Sequence, residues 1–193
     1  MTKRGIEDIM FFEPTKLDGV FLIKPRRFGD DRGFFSETFR ANLFEDGTGA
    51  NVTFVQDNFS YSKYRGTVRG LHYQAPPFEQ GKLVRCGRGE IMDVAVDVRP
   101  GSSTFGEHVS ARLTADNGFQ LWVPAGFLHG FATLTDDCEV AYKVTNYYSK
   151  ECDGNVLFSD PELGIDWGIN NEDAILSDKD KIAPLFAEWQ NPF

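Results

Sequence analysis

The stretch that decides the fold spans residues 67–74 and reads TVRGLHYQ, and residues 81–85 follow it with GKLVR. Together they predict two strands that place His72 near the cations of Arg69 and Lys82. A histidine can act as a general base near neutral pH, and neighbouring cations can hold an anion or stabilise developing negative charge. The competing interpretation is a hydrogen-bonded structural histidine, which is the more frequent role of a lone histidine on a strand.

Strand periodicity separates the two residues of interest in this stretch. In a regular strand Arg69 shares a face with Leu71 and Tyr73, whereas His72 points to the other face. Gly70 lies between them and is the residue type expected at a β-bulge. The sequence therefore predicts a bulge at Gly70 that brings Arg69 and His72 into one pocket.

The composition predicts a folded, all-β chain. Of its 193 residues, 41% are hydrophobic and 14% are aromatic, including 18 phenylalanines, which suits a sheet-rich globule. We expect one domain over residues 1–193, built as a sandwich, barrel or jelly roll of short strands separated by turns. Besides the opening stretch, the strand candidates are residues 20–23, 34–38, 52–60, 90–98, 106–113, 119–123, 129–134 and 139–147.

A few short helices are expected around the sheets. Residues 39–45 predict one or two helical turns, which the glycines of residues 46–49 should end. Beyond residue 153 the pattern predicts an irregular tail packed on the sheet. A short helix follows it, with Ser177 or Asp178 as its N-cap. The apolar side chains of the tail and this helix are Leu163, Trp167, Leu185, Phe186 and Trp189.

Alternation along residues 90–98 assigns the two faces of a further strand. Asp93 and Asp97 share a parity with Ala95, so we expect their face to be wetter than the face formed by Met92 and the valines. The strand as a whole is predicted to belong to the core.

The charge balance limits the partners. A net charge of −9 and a sequence pI of about 4.8, with no basic run, disfavour nucleic acid. An acidic protein that binds an anionic small molecule must gather its cations at the site. The candidates for this role are Arg32, Arg69, Lys82 and Arg85.

The cysteines and the N-terminal region predict the compartment. Cys86, Cys138 and Cys152 are widely spaced and include no Cys-x-x-Cys, so neither a disulfide framework nor a zinc site is indicated. Residues 1–12 lack the apolar core and cleavage site of a signal peptide, and no apolar run approaches membrane-spanning length. We expect a cytoplasmic protein with no membrane partner.

Residues 124–130 read PAGFLHG and form the second informative stretch, a turn that delivers His129 to the start of a strand. This resembles the second motif of the cupin family, Pro-x-Gly-x-x-His, and implies a cupin-type jelly-roll β-sandwich. Metal-binding cupins pair that histidine with a His-x-His of the first motif, but residues 72–74 read HYQ here. Because the second histidine is missing, the ligand set is incomplete and we expect no metal.

With that departure, the chain resembles the dTDP-4-dehydrorhamnose 3,5-epimerase family, metal-free cupins of deoxysugar biosynthesis. The matching segments occur in the same order along nearly the whole chain. They are residues 28–35, 54–58, 69–74, 81–85, 124–131, 142–148 and 176–180. Each is weak alone, but seven in the right order make chance a poor explanation.

The resemblance implies epimerisation beside a ketone at carbon 4 of the sugar, where protons at carbons 3 and 5 can leave as the enolate forms. This chemistry needs a base, an acid on the opposite face and positive charge near the carbonyl, and no cofactor. His72 matches the family base, Asp180 the carboxylate that orients it, Tyr142 the acid and Lys82 the cation. Without the resemblance, Asp180 would be read as a solvated charge and Tyr142 as a packing residue.

The resemblance also implies a nucleotide-sugar substrate, dTDP-4-dehydro-6-deoxyhexose, and a homodimer, which strand exchange of residues 20–23 could support. Tyr148 is expected to stack on the nucleotide base or shape the pocket, and the arginines suit a diphosphate. The residues that match substrate contacts are Phe28, Arg32, Glu37, Gln56, Asn58, Arg69, His129, Tyr148, Asp153 and Lys179.

Several alternatives remain open at this point. The chain could epimerise only one carbon or serve another deoxysugar pathway, because one sequence does not determine how the intermediate is held. It could also be a binding module without turnover, which would not need competent residues at the base, acid and cation positions. A metal-dependent dioxygenase or isomerase is the third class, and chelation would test it.

Overall fold

The structure, a computed structural model, describes residues 9–193. The prediction that residues 1–12 do not form a signal peptide concerns mainly residues 1–8, which lie outside the described residues. The described strands are β1 (Met10–Pro14), β2 (Phe21–Pro25), β3 (Phe28–Asp30), β4 (Gly33–Phe35), β5 (Gln56–Ser62), β6 (Val68–Gln74), β7 (Lys82–Arg88), β8 (Glu90–Asp97), β9 (His108–Thr114), β10 (Gln120–Val123), β11 (Phe127–Thr133), β12 (Cys138–Val144) and β13 (Asp153–Asn155). The helices are α1 (Ala41–Thr48) and α2 (Asp178–Lys181), with 3₁₀ turns at Asn171–Asp173 and Phe186–Glu188.

Two sheets form a jelly-roll sandwich, which confirms the predicted all-β class. The six-stranded sheet has the order β1-β2-β10-β7-β12-β5, and the five-stranded sheet has the order β13-β6-β11-β8-β9. Every pairing within these sheets is antiparallel. Strands β3 and β4 form a separate hairpin. In the six-stranded sheet β2 lies between β1 and β10, so residues 21–25 are already paired within the chain and are not an edge available for exchange.

Three apolar layers hold the sandwich together. The central layer lies between the sheets and includes Val84, Ile91 and Leu121. A second layer covers the outside of the five-stranded sheet, where the tail packs Leu163 and Trp167 as predicted. A third layer packs α1 on the outside of the six-stranded sheet. Because apolar burial is roughly additive in area, each layer contributes to stability separately.

Double coverage of β8 explains why the predicted wet face is wrong. Asp93 and Asp97 point inward and are both fully buried, at 0% exposure. The opposite face, with Val94 and Val96, is also buried because the tail packs on it. Apolar and acidic residues do alternate along β8, but a strand covered on both sides has no wet face.

Helix α1 is longer than the sequence indicates. It passes through Gly47 and ends at Gly49, which has a φ of +72° and donates its N–H to the carbonyl of Glu45. A Cβ at Gly47 would lie 2.4 Å from the Phe12 ring, so this glycine permits close packing rather than ending the helix.

The C-terminal helix is shorter than predicted, and the tail contains an unexpected strand. Ser177 is the N-cap of α2, as one of the two predictions had it, but the helix stops after Lys181. Pro184 precedes the 3₁₀ turn and has no N–H to continue a helix. Strand β13 pairs with β6, although its sequence, Asp-Gly-Asn, reads as a turn. No helix among residues 9–193 combines the length and apolar character needed to cross a membrane.

Candidate active site

A cavity of about 410 Å³ opens between the two sheets near α2. Its size suits a small molecule. Strands β6, β7, β11 and β12 supply its polar side chains, and α2 supplies a carboxylate. The sequence-predicted residues that line it are Arg69, His72, Lys82, His129, Tyr142 and Asp180.

The predicted bulge is confirmed at the floor of this cavity. Strand β6 pairs with β11 so that His129 lies opposite His72, but Phe131 lies opposite Arg69, which leaves one extra residue on β6. That residue restores Arg69 and His72 to the same side. A Cβ on Gly70 would lie 2.5 Å from the Cα of Gly130, so only glycine allows the two strands to approach this closely.

His72 and Asp180 form a histidine–carboxylate dyad although they are far apart in sequence. His72 Nε2 lies 2.6 Å from Asp180 Oδ1, and the Asp180 side chain is 3% exposed. Ser177 Oγ donates to Asp180 Oδ2 at 2.8 Å. Because a carboxylate only accepts, Nε2 carries the proton and Nδ1 of His72 is left as the basic nitrogen.

The charge of Asp180 is stabilised by its donors. Burial raises the pKa of Asp180, but the hydrogen bonds from His72 and Ser177 outweigh burial and hold this pKa below its ordinary value of 3.8. The carboxylate therefore stays ionised at neutral pH and favours an imidazolium on His72 when a proton arrives.

Tyr142 and Lys82 face the same cavity without partners. Within residues 9–193 neither the phenol of Tyr142 nor the ammonium of Lys82 makes a hydrogen bond or salt bridge. Burial raises the pKa of Tyr142 above 10, with Arg69 partly opposing this shift. Burial lowers the pKa of Lys82 from 10.5 to about 8, although Asp93 and Asp153 oppose that shift. Both side chains are thus free to engage a ligand.

A second histidine–carboxylate pair was not foreseen. His129 Nε2 lies 2.8 Å from Asp93 Oδ1, and both side chains are buried. The sequence offered one usable signal, the inward parity that Asp93 shares with the core residue Ala95. That signal was misread because the burial of both faces of β8 was not anticipated.

Three further predicted residues lie together outside the cavity lining. Lys179 forms an ion pair with Asp153, and the Tyr148 hydroxyl lies 3.4 Å from the same carboxylate. The charges of Asp153 and Lys179 both act on Lys82, so this cluster is electrostatically part of the site. Tyr148 is 58% exposed, which leaves its ring face accessible.

The two amides on β5 lie beside Tyr142. Gln56 and Asn58 share the less exposed side of this edge strand, as predicted, and Gln56 Nε2 donates to Asn58 Oδ1 at 2.8 Å. Asn58 is directly opposite Tyr142 in the strand register. Asn58 and Tyr142 also line a neighbouring cavity of about 360 Å³.

Phe28, Arg32 and Glu37 do not line the cavity of their own chain. Phe28 and Arg32 belong to the exposed β3–β4 hairpin, where the Arg32 side chain is 89% exposed and pairs with Asp30 at 2.5 Å. Glu37 pairs with Arg40 at 2.6 Å.

The arrangement does not present a ready set of metal ligands. Among residues 9–193 no group of three or more histidine, cysteine or acidic side chains is placed to hold a metal ion. His72 and His129 are opposite each other, but each directs Nε2 to a carboxylate. That activity needs no metal stays a prediction.

A jelly-roll sandwich that holds a histidine–carboxylate dyad, a phenol and a cation around one cavity has the groups that an enzyme needs to move protons at carbon. Residues 14–188 match the family model described as dTDP-4-dehydrorhamnose 3,5-epimerase. The chain belongs to this family.

Individual relatives agree with this assignment. The chain is 53% identical over 181 residues to a dTDP-4-dehydrorhamnose 3,5-epimerase of Sinorhizobium fredii, covering 94% of this chain and 92% of the relative. The crystal structure of dTDP-6-deoxy-D-glucose-3,5-epimerase from Legionella pneumophila, in complex with dTDP-4-keto-L-rhamnose, has a TM-score of 0.89 and 45% identity, covering 94% of this chain and 95% of that one. A 3′-monoepimerase of Streptomyces bikiniensis, in complex with dTDP-quinovose, has a TM-score of 0.84 and 36% identity, covering 91% and 87%. The expected cupin-type fold is therefore confirmed.

Proposed function

We propose that this protein converts dTDP-4-dehydro-6-deoxy-D-glucose to dTDP-4-dehydro-L-rhamnose by inverting carbons 3 and 5, in dTDP-L-rhamnose biosynthesis. Its family and relatives support this reaction class. The single observation that carries the mechanism is the dyad of His72 and Asp180, 2.6 Å apart, in a cavity shared with Tyr142 and Lys82.

The base in this mechanism is Nδ1 of His72. It removes a proton from the carbon beside the 4-keto group, and the electrons of that C–H bond form an enolate. Asp180 stabilises the resulting imidazolium, since its carboxylate accepts from Nε2. The ammonium of Lys82 stabilises the enolate oxygen more than the neutral ketone, and this difference accelerates the step.

The acid is the phenol of Tyr142. Because its pKa is raised by burial, the hydroxyl remains protonated at neutral pH and can deliver its proton to the opposite face of the enolate. Inversion leaves a phenolate on Tyr142 and an imidazolium on His72. Proton exchange with water restores both groups, so no proton is gained or lost overall and no cofactor is consumed.

The remaining contacts are assigned by charge and position. Arg69 lies at the cavity with its guanidinium held by Ser62 and the carbonyl of Tyr61, where it suits the diphosphate. His129 contacts the sugar, Lys179 and Asp153 lie toward the nucleotide, and Tyr148 stacks on its base. Gln56 and Asn58 supply amide contacts from β5.

The exposed hairpin supports a homodimer in which a second copy completes the site. Phe28, Phe34 and Phe35 are 44%, 59% and 70% exposed, which is unusual for a soluble surface. Packing this hairpin against a partner would bring Phe28, Arg32 and Glu37 toward the partner's cavity. Light scattering measures the mass of the assembly in solution, which should be that of two chains. Mixing an Arg32→Ala chain with a His72→Ala chain tests whether the two copies share a site. In a mixed dimer, one site combines an intact hairpin from one chain with an intact cavity from the other, so activity should return.

The reaction itself is tested with the 4-keto substrate and a reductase that consumes its L-configured product. Nicotinamide oxidation should depend on this protein. His72→Ala should abolish turnover while nucleotide-sugar binding, measured by calorimetry, persists. If binding is lost together with turnover, His72 is a substrate contact and the mechanism fails.

A second candidate function is epimerisation at one carbon only. It is favoured by one observation, the similarity to a 3′-monoepimerase at a TM-score of 0.84. Deuterium entry from heavy water, measured separately at carbons 3 and 5, separates the two: entry at carbon 3 alone would select the single-site reaction. We place the protein in the cytoplasm, in keeping with its three free thiols.

A further inference from the structure

Asp93 is a buried carboxylate whose hydrogen-bonding capacity is half used. Its side chain is 0% exposed, and Oδ1 accepts from His129 Nε2 at 2.8 Å. Its other oxygen, Oδ2, is buried and has no hydrogen-bond partner among residues 9–193. Burying such a group is costly, and a hydrophobic residue would pack here without that cost. Its presence in the central layer therefore calls for a functional reason.

The position of Asp93 provides that reason. It projects from β8 into the space between the sheets, and its charge acts on Lys82, which projects from β7 of the opposite sheet. Lys82 itself makes no hydrogen bond or salt bridge within the described part of the chain. Its ammonium therefore depends on nearby negative charge rather than on a direct partner.

We propose that Asp93 is a positioning residue of this site, which fixes the proton of His129 on Nε2 and keeps Lys82 in its ammonium form. The inference rests on the proposed function, because both groups act on the sugar in that reaction. Asp93 is not among the residues that line the cavity. It acts through His129, whose Nδ1 is left for the ligand, and through the charge of Lys82.

Burial and several charges act on Lys82 in opposite directions. Burial lowers the pKa of Lys82 to about 8, Asp93 and Asp153 raise it, and Lys179 lowers it. Of the two supporting carboxylates, Asp153 is already paired with Lys179, whereas Asp93 faces a histidine. The other titratable or charged groups at this cavity are Arg69 and His72 from β6, His129 from β11, Tyr142 from β12 and Asp180 from α2.

Asp93→Asn removes the charge and keeps the shape. In the wild type the rate of deuterium exchange should fall at high pH as Lys82 loses its proton, and this fall forms the basic limb of the pH–rate profile. In Asp93→Asn the basic limb should lie about one pH unit or more lower, which is a tenfold change in the acid constant of Lys82. At pH 8 the variant should lose about fivefold in rate or more, and most of the loss should be recovered near pH 6.5. An unchanged basic limb would overturn the proposal.

Asp97→Asn is the matched control. Asp97 lies on the same strand and is also 0% exposed, but its carboxylate anchors the loop of Arg99, Ser102 and Thr104 instead of bonding to a histidine of the cavity. This variant should lower the melting temperature and leave the basic limb in place. A shift equal to that of Asp93→Asn would show that general loss of packing is responsible, and would refute a specific role for Asp93.

A direct titration separates this inference from the proposed reaction. NMR of ¹³C-labelled lysine in the free protein, with Lys82→Arg used to assign the signal, reports the Lys82 midpoint without any substrate. The midpoint should be lower in Asp93→Asn than in the wild type, and equal midpoints would overturn the inference even in an active enzyme. Absence of exchange in the wild type would instead refute the proposed function. If Asn at position 93 prevents folding, Asp93→Ser replaces it, since its hydroxyl can accept from His129.

Discussion

Replacing Asp180 by asparagine tests how the dyad works. The change preserves size in a side chain that is 3% exposed, but it removes the charge that stabilises an imidazolium. Asparagine can also rotate its amide toward Nε2 of His72, which would place the histidine proton on Nδ1 and block the base. The reaction should therefore slow at both carbons.

The magnitude follows from the 2.6 Å contact between His72 Nε2 and Asp180 Oδ1. A hydrogen bond to a charged group contributes about 1.5–3 kcal/mol, which corresponds to roughly 10- to 150-fold in rate. If the wrong tautomer also forms, the loss approaches the full contribution of general base catalysis, about 10² to 10⁴-fold. We expect kcat for Asp180→Asn to fall by about 10² to 10⁴-fold.

The assay is deuterium entry from heavy water at carbons 3 and 5, followed by NMR, with thermal unfolding measured in parallel. Asp178→Asn is the matched control, because Asp178 lies on the same helix with a fully exposed carboxylate that pairs with Lys181. The control should exchange at the wild-type rate. If Asp180→Asn exchanges within about threefold of wild type, a loss of less than 1 kcal/mol, the carboxylate does not support the base and the reasoning fails.

Three other predictions concern the charge, the bulge and metals. Lys82→Met should be inactive but more stable at pH 7, because the buried ammonium is costly. Between pH 8 and 10.5 position 82 holds a proton in the unfolded chain but not in the folded one, so the stability of the wild type rises with pH through that window. The difference in Tm between Lys82→Met and the wild type should therefore narrow as the pH rises. A difference that stays constant would contradict the lowered pKa of Lys82. Gly70→Ala should destabilise the fold by about 3 kcal/mol or more, since its Cβ would meet the Gly130 backbone at a φ of +149°, and a wild-type Tm would refute the need for close approach. Chelator treatment should leave the rate unchanged, whereas a loss restored by added metal would support a metal-dependent reaction.

Local signals in the sequence were sufficient to predict much of the fold and the centre of the candidate site. The strands followed from alternation and turns, and the need to bring Arg69 and His72 together predicted the bulge at Gly70. Asp180 could not be identified from local patterns, because nothing near it in sequence indicates a partner. Only its resemblance to a family position suggested the contact that the structure contains.

The errors arose where tertiary packing overrides local pattern. Alternation along β8 predicts one apolar face and one wet face, with Asp93 on the wet one. The tail covers the face of Val94 and Val96, so the face of Asp93 is the one that points between the sheets. Strand β13 was missed because pairing with β6, rather than its own propensity, makes it extended. Glycine at position 47 reads as a helix breaker, yet it is needed for contact with Phe12.

The most direct test of the account compares the base and acid variants for both exchange and stereochemistry. In heavy water, His72→Asn should take up no deuterium at carbon 3 or 5. Tyr142→Phe should still exchange, because His72 can return deuterium to the face from which it took the proton, but it should form little inverted sugar. Exchange by His72→Asn at the wild-type rate, or full inversion by Tyr142→Phe, would contradict a mechanism in which these two side chains act on opposite faces of the ring.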